Sequence, residues 1–196
     1  MCEKGYYSSY YQPWIMNALK EWATVVKALE NGDQTIILRK GGILETSSGF
    51  KIESKKFLLF PTYEHQGSDG IKPQFQNYLD EIKKDQPKNG HNKITSYAEV
   101  LHEVDLDSEE KISELSPFHI WSDSYIKTKM NWMPEKPMKV VFLKITKIPE
   151  LEIPIKSEYQ GCKSWIDINE DVNFGEPVLS KSELDSKLEQ FKELVN

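Results

Sequence analysis

Two short clusters in this 196-residue chain hold the residue types from which sites are made. The first is Arg39-Lys40, which closes the apolar run Ile36-Ile37-Leu38 and opens onto Gly41-Gly42. Cations directly after a buried strand suit a phosphate or carboxylate, and glycines let backbone N–H groups approach the same ligand. The pattern GxxxxGK[ST] is absent, so this is not a P-loop. The competing reading is a strand end with solvated cations and a tight turn. The second cluster is Thr62-Tyr63-Glu64-His65-Gln66, which follows Phe57-Leu58-Leu59-Phe60-Pro61. A carboxylate beside an imidazole suits proton transfer. Neighbours in an extended segment point to opposite faces, however. Tyr63 and His65 therefore share one face, as the walls of a pocket, while Glu64 pairs elsewhere, with Arg39 as one candidate. The competing reading is a polar strand exit whose side chains cap the backbone.

Other constellations carry narrower chemistry. Glu53 and Lys55 form Glu-x-Lys, with Asp33 twenty residues earlier. A PD-(D/E)XK nuclease uses an acidic pair to hold Mg²⁺ and a lysine to orient water, but Asp33 falls in the turn Asn31-Gly32-Asp33-Gln34. The four histidines lie at 65, 91, 102 and 119, and none has zinc spacing with a cysteine. Cys162 would need His65 beside it to become a nucleophile, and the alternative is a small apolar residue in a core. Trp121, Trp132 and Trp165 are candidates to stack on a base, with core packing as the alternative. Trp132 stands in a stretch that mixes cations and aromatics, as single-strand binding sites do.

The elements that must position these residues follow from periodicity. The apolar spacing from Trp14 through Ile15, Ala18, Leu19, Trp22, Val25, Val26 and Leu29 predicts a helix that starts after Pro13 and ends at Asn31-Gly32. Residues 35–40 and 50–60 read as strands, the second stopped by Pro61. Residues 73–84 read as a short helix. Residues 93–106 alternate as a long half-exposed strand. Asp107 and Glu110 form a capping box for a helix ending at Ser116-Pro117, and residues 122–131 form another helix. Residues 138–148 and 159–168 are strands. Ser180 and Glu183 cap a C-terminal amphipathic helix. The expected organisation is an N-terminal arm over 1–13, one α+β domain over 14–170, and an accessory helix over 171–196.

Composition bounds the function classes. Two cysteines are no disulfide framework, and no run approaches the roughly 18 apolar residues of a membrane span. A cytoplasmic protein without membrane partners is expected. The net charge of -6 argues against a general nucleic-acid coat. The charge is uneven, though: residues 36–93 carry ten Lys and Arg against seven Asp and Glu, and residues 127–147 carry six against one. These two segments can build one basic face.

The strings ALKEW, IILRKGGI, FLLFPTYEHQ and YQGCKSW, in that order, resemble the prokaryotic family catalogued as domain of unknown function 1802. The resemblance covers residues 18–168 and implies no activity. The order of elements is in addition similar to PUA-like domains such as ASCH, EVE and YTH, small mixed barrels that bind RNA or modified bases. The glycine-lysine-glutamate-arginine pattern of ASCH and the asparagine-tyrosine motif of EVE are absent.

These readings converge on a curved, mixed α+β sheet, a PUA-like, partly closed barrel with flanking helices. The function expected first is a nucleic-acid or nucleotide-binding module for RNA, DNA or a nucleotide. Arg39 and Lys40 would meet phosphate, with Tyr63, His65 and a tryptophan around a base. Glu53, Glu64, Trp132 and Trp165 complete the candidate residues. No cofactor and no bound metal are implied by this reading. The alternatives are a Mg²⁺-dependent nuclease or hydrolase using Glu53 and His65, and a protein-interaction domain marked by an apolar patch near Trp132. Whether the chain is an enzyme stays open at this stage.

Overall fold

The computed structural model describes residues 15–41, 49–64, 66–173 and 175–196. The expected N-terminal arm and His65 lie outside these residues. The architecture is α+β, as expected. Six strands form one curved mixed sheet with helices against it. The strands are β1 (Ile15–Trp22), β2 (Ile36–Arg39), β3 (Lys56–Thr62), β4 (His91–Leu106), β5 (Met138–Pro154) and β6 (Trp165–Asn169). The helices are α1 (Ala23–Glu30), α2 (Asn77–Lys84), α3 (Glu109–Glu114), α4 (Asp123–Asn131) and α5 (Lys181–Val195). The strand order is β2-β5-β4-β3-β1-β6, and the β1–β3 pair is parallel while the other pairs are antiparallel.

Successive side chains of a strand go to opposite faces, and here both faces are covered. Leu19, Phe57, Leu59, Ala98 and Phe142 enter the larger core. Ala18, Leu58, Phe60, Ile94 and Ile166 enter a second core on the other face. This explains why the central strands read as unbroken apolar runs. The helix expected from Trp14 to Leu29 is corrected by this arrangement. Its first half is β1, paired with β3 through Ala18↔Leu58 and Leu19↔Leu59, and with β6 on its other edge. A strand buried on both faces has no period-2 signature, so its apolar residues matched a helical spacing by accident. The second half is α1, which ends where expected, with Asn31 as C-cap and Gly32 at φ 77°.

Three further expectations shift. Pro61 does not stop β3, which runs to Thr62 in register with β1. Pairing of β3 with β4 covers Lys56 to Leu58, so Pro61 stands where that side needs no N–H donor. The α3 cap is Ser108, whose hydroxyl accepts from the Lys111 N–H, rather than Asp107. Residues 138–154 form one strand, not two pieces. The Ser180–Glu183 capping box is present at the start of α5.

The sheet curls but is not closed into a barrel, and side chains bridge its ends instead. The Arg39 guanidinium, at the end of edge strand β2, donates to Ser164 Oγ (2.9 Å) just before edge strand β6. Trp165 Nε1 donates to the Lys51 carbonyl (3.0 Å). Among the described residues no helix is long and apolar enough to cross a membrane.

One buried group gives this fold a pH response. His119 is 2% exposed. Its Nδ1 accepts from the Trp121 N–H (3.2 Å), and Nε2 has no partner among the described residues. Burial, with the Lys72 ammonium adding, pushes its pKa down to about 3. A histidine in the unfolded chain titrates near about 6.5. Between these values the unfolded chain holds one proton more, so stability falls as pH drops from about 6.5 towards 3, by about 1.4 kcal/mol per unit. Urea midpoints at neutral and acid pH should show a shallower acid loss for His119→Gln than for the natural chain. Equal slopes would mean that His119 does not drive the loss.

Candidate functional site

Parallel strands β1 and β3 end together at Trp22 and Thr62, β2 ends close by at Arg39, and α4 packs over the gap. The result is a cleft of about 480 Å³. Five cations line it: Lys20, Arg39, Lys40, Lys129 and Lys163. Two carboxylates do so, Glu21 and Glu64, so the cleft is net positive in a net acidic chain. Its aromatic wall is Trp22, Trp121 and Tyr125. Trp121 and Tyr125 stack at 4.3 Å, and Trp22 stands edge-on to Trp121 at 4.9 Å. Lys129 Nζ lies 5.4 Å from the centre of the Tyr125 ring. Burial raises the Tyr125 phenol, and Glu21 adds to this against Arg39, so it stays a neutral donor.

Lys20 stands at a junction. Its ammonium donates to the carbonyls of Tyr159 and Gly161, both at 2.8 Å. Burial lowers its pKa, opposed by Cys162 and Glu64. It also lines a second cavity of about 590 Å³, which shares Thr62, Glu64 and Gly161 with the first and runs on past Phe60, Asn92 and Tyr159. The two cavities are thus neighbours, with Lys20 at the boundary between them.

The candidate residues read from the sequence divide. Arg39 is in the cleft but largely committed. It donates to Glu21 Oε2 (3.3 Å), the Lys20 carbonyl (3.2 Å) and Ser164, and lies 5.0 Å over the Phe50 ring. Its carboxylate partner is thus Glu21, not Glu64. Lys40 is 4% exposed, and its ammonium donates to the carbonyls of Met130 (2.7 Å), Trp132 (2.9 Å) and Met133 (3.1 Å). All three of its N–H groups therefore hold the carbonyl end of α4. Glu64 is exposed in the cleft near Lys20. Tyr63 packs against Ala23, Leu79 and Ile82 and also lines the second cavity beside Glu64, not the cationic cleft. Burial, then Asp85, Glu30 and Glu150, push its phenol up to about 12.

The nuclease constellation is not assembled. Glu53 is exposed away from the cleft, Lys55 pairs with Glu103 (2.7 Å), and Asp33 accepts from the Tyr78 hydroxyl. Among the described residues no group of three or more His, Cys, Asp and Glu is placed to hold a metal. Trp165 is 8% exposed and packs between Phe50 and Phe57. Trp132 is 46% exposed at the end of α4. Sequence reasoning missed Trp22, Tyr125, Lys20 and Lys129. The first and third lie in β1, which reads as a helix, and the other two lie one turn apart on the face of α4 that borders the cleft.

Residues 18–190 match the model of the family described as a domain of unknown function, DUF1802. No curated protein sequence matches the chain. Among solved structures, ASCH from Zymomonas mobilis is similar at 14% identity and a TM-score of 0.46, over 89% of this chain and 93% of that one. Two single-residue mutants of that protein have TM-scores of 0.47 and 0.44, at 13% and 14% identity, over 89% of this chain and 94% and 96% of theirs.

Proposed function

We propose, for a chain that belongs to the DUF1802 family, that the cleft between the β1, β2 and β3 ends and α4 binds nucleic acid or a nucleotide. One observation carries this reading: cations and an aromatic wall converge on one open cleft although the chain as a whole is acidic. Lys129 and Lys163 make no ion pair with a described residue, so they are the groups available to phosphate. Arg39 and Lys40 shape the cleft from behind. Trp22 and Tyr125 are half-buried; Trp121 covers one face of Tyr125, and a base would stack on the other as Lys129 moves from that ring to a phosphate.

The test is fluorescence anisotropy with labelled single-stranded RNA and DNA and with a labelled nucleotide, at low and physiological salt. Binding is expected to weaken with salt, because each phosphate contact releases a counterion. Changing Lys129 and Lys163 to alanine together should lower affinity about tenfold or more and reduce the salt slope by about 1–2. Absence of affinity for RNA, DNA and nucleotides at low salt would overturn the reading.

A further inference from the structure

Tyr125, Lys129 and Trp132 stand at i, i+4 and i+7, a spacing that puts three side chains on one face of a helix. Two of them are in the cleft, and the contact of Lys129 with the Tyr125 ring fixes them on the same face. The third leaves the helix at its C-cap with its ring exposed. Trp121 and Trp165, by contrast, are buried.

The turn that presents Trp132 is built in an unusual way. Met133 has φ 49°, the only positive value for a non-glycine among the described residues. Such a backbone is strained for a residue with a side chain and persists only where its surroundings determine it. Two contacts hold it: the buried Lys40 ammonium takes the carbonyls of Met130, Trp132 and Met133 together, and the Met133 carbonyl also accepts from the Lys136 N–H (2.9 Å). Helix ends commonly meet such carbonyls with water or local backbone bonds and need no buried charge. A strained residue and a desolvated cation thus fix the direction in which the chain leaves α4, with Trp132 at the exit.

We infer that the bound strand runs out of the cleft along α4 onto Trp132, so that the site takes a single-stranded oligonucleotide rather than a lone nucleotide. This rests on the reading of the cleft as a nucleic-acid site. From Tyr125 to Trp132 the helix rises about 10 Å. At about 3.4 Å per stacked base that is about three steps. A ligand of about four nucleotides therefore reaches from the inner ring to the outer one, with Lys129 between them at the phosphates. A mononucleotide reaches only the inner ring.

The experiment is competition by unlabelled mono-, tri- and pentanucleotides against a labelled single strand, on the natural chain, Trp132→Ala and Trp132→Phe. The pentanucleotide should bind the natural chain more tightly than the mononucleotide. In Trp132→Ala its affinity should drop about 5- to 150-fold, the range of one lost base–aromatic stack, and Trp132→Phe should restore most of it. If nucleotides bind but length brings no gain, or Trp132→Ala binds the pentanucleotide like the natural chain, the inference is overturned and the cleft reading stands. If nothing binds at low salt, the cleft reading falls and takes this inference with it.

Discussion

Arg39→Ala is expected to lower stability by about 3–5 kcal/mol, as removal of one member of a buried ion pair does. Glu21 is 6% exposed, and among the described residues its carboxylate has two donors, the Trp22 N–H (2.9 Å) and the Arg39 guanidinium (3.3 Å). Without Arg39 the charge stays buried with one neutral donor. The same guanidinium joins the Lys20 carbonyl and Ser164 Oγ, so it also ties the free end of β2 to β1 and the approach to β6. Arg39→Lys should recover little, since one ammonium cannot span a carboxylate, a carbonyl and a hydroxyl lying in different directions. Arg39→Met combined with Glu21→Gln should be more stable than Arg39→Ala alone, because no unpaired charge remains. Urea unfolding followed by circular dichroism reads all three. A loss below about 1 kcal/mol for Arg39→Ala would show that Glu21 regains water and that the curl of the sheet does not depend on this brace.

This residue also shows how much of the site was legible. Its place after an apolar run marks Arg39 as a candidate, and it does line the cleft. Its partner was not legible, because Glu21 lies in β1, and β1 reads as a helix. Nothing local marks a strand covered on both faces. Its identity comes from pairing with β3 some forty residues later and with β6 near the far end of the chain. The elements that were legible have a local signature. The half-exposed strand β4 alternates, and α4 and α5 carry hydroxyl caps at Ser122 and Ser180. Side by side in the sequence, Lys40 and Arg39 read as one anion site, although adjacent residues of an extended segment part company. That signal was present, and it separates a brace of the sheet from a clamp on α4. The basic face expected from the segments 36–93 and 127–147 is present in part, as Arg39 and Lys129 on one cleft.

Phe191→Ala is expected to cost about 3–5 kcal/mol, the range for an aromatic side chain removed from a closed core. Phe191 is fully buried although it belongs to the last helix, which the amphipathic pattern reads as an accessory over 171–196. Its ring meets Phe142 of β5 at 5.3 Å, Phe118 at 6.0 Å and His102 of β4 at 5.7 Å. Leu184 and Val195 are buried in the same core, one near each end of the helix. A helix merely resting on the surface would tolerate loss of one ring by sliding, whereas here the ring fills space between two strands and the segment before α4. Leu188, which is half-buried, is the control, and Leu188→Ala should cost clearly less, since little cavity forms at an open site. If Phe191→Ala unfolds at nearly the natural midpoint, α5 is an appendage and a chain ending at residue 170 should fold. If the loss is as large as expected, that shortened chain leaves Phe118 and Phe142 uncovered and should expand into a state that binds hydrophobic dye and lacks near-UV circular dichroism.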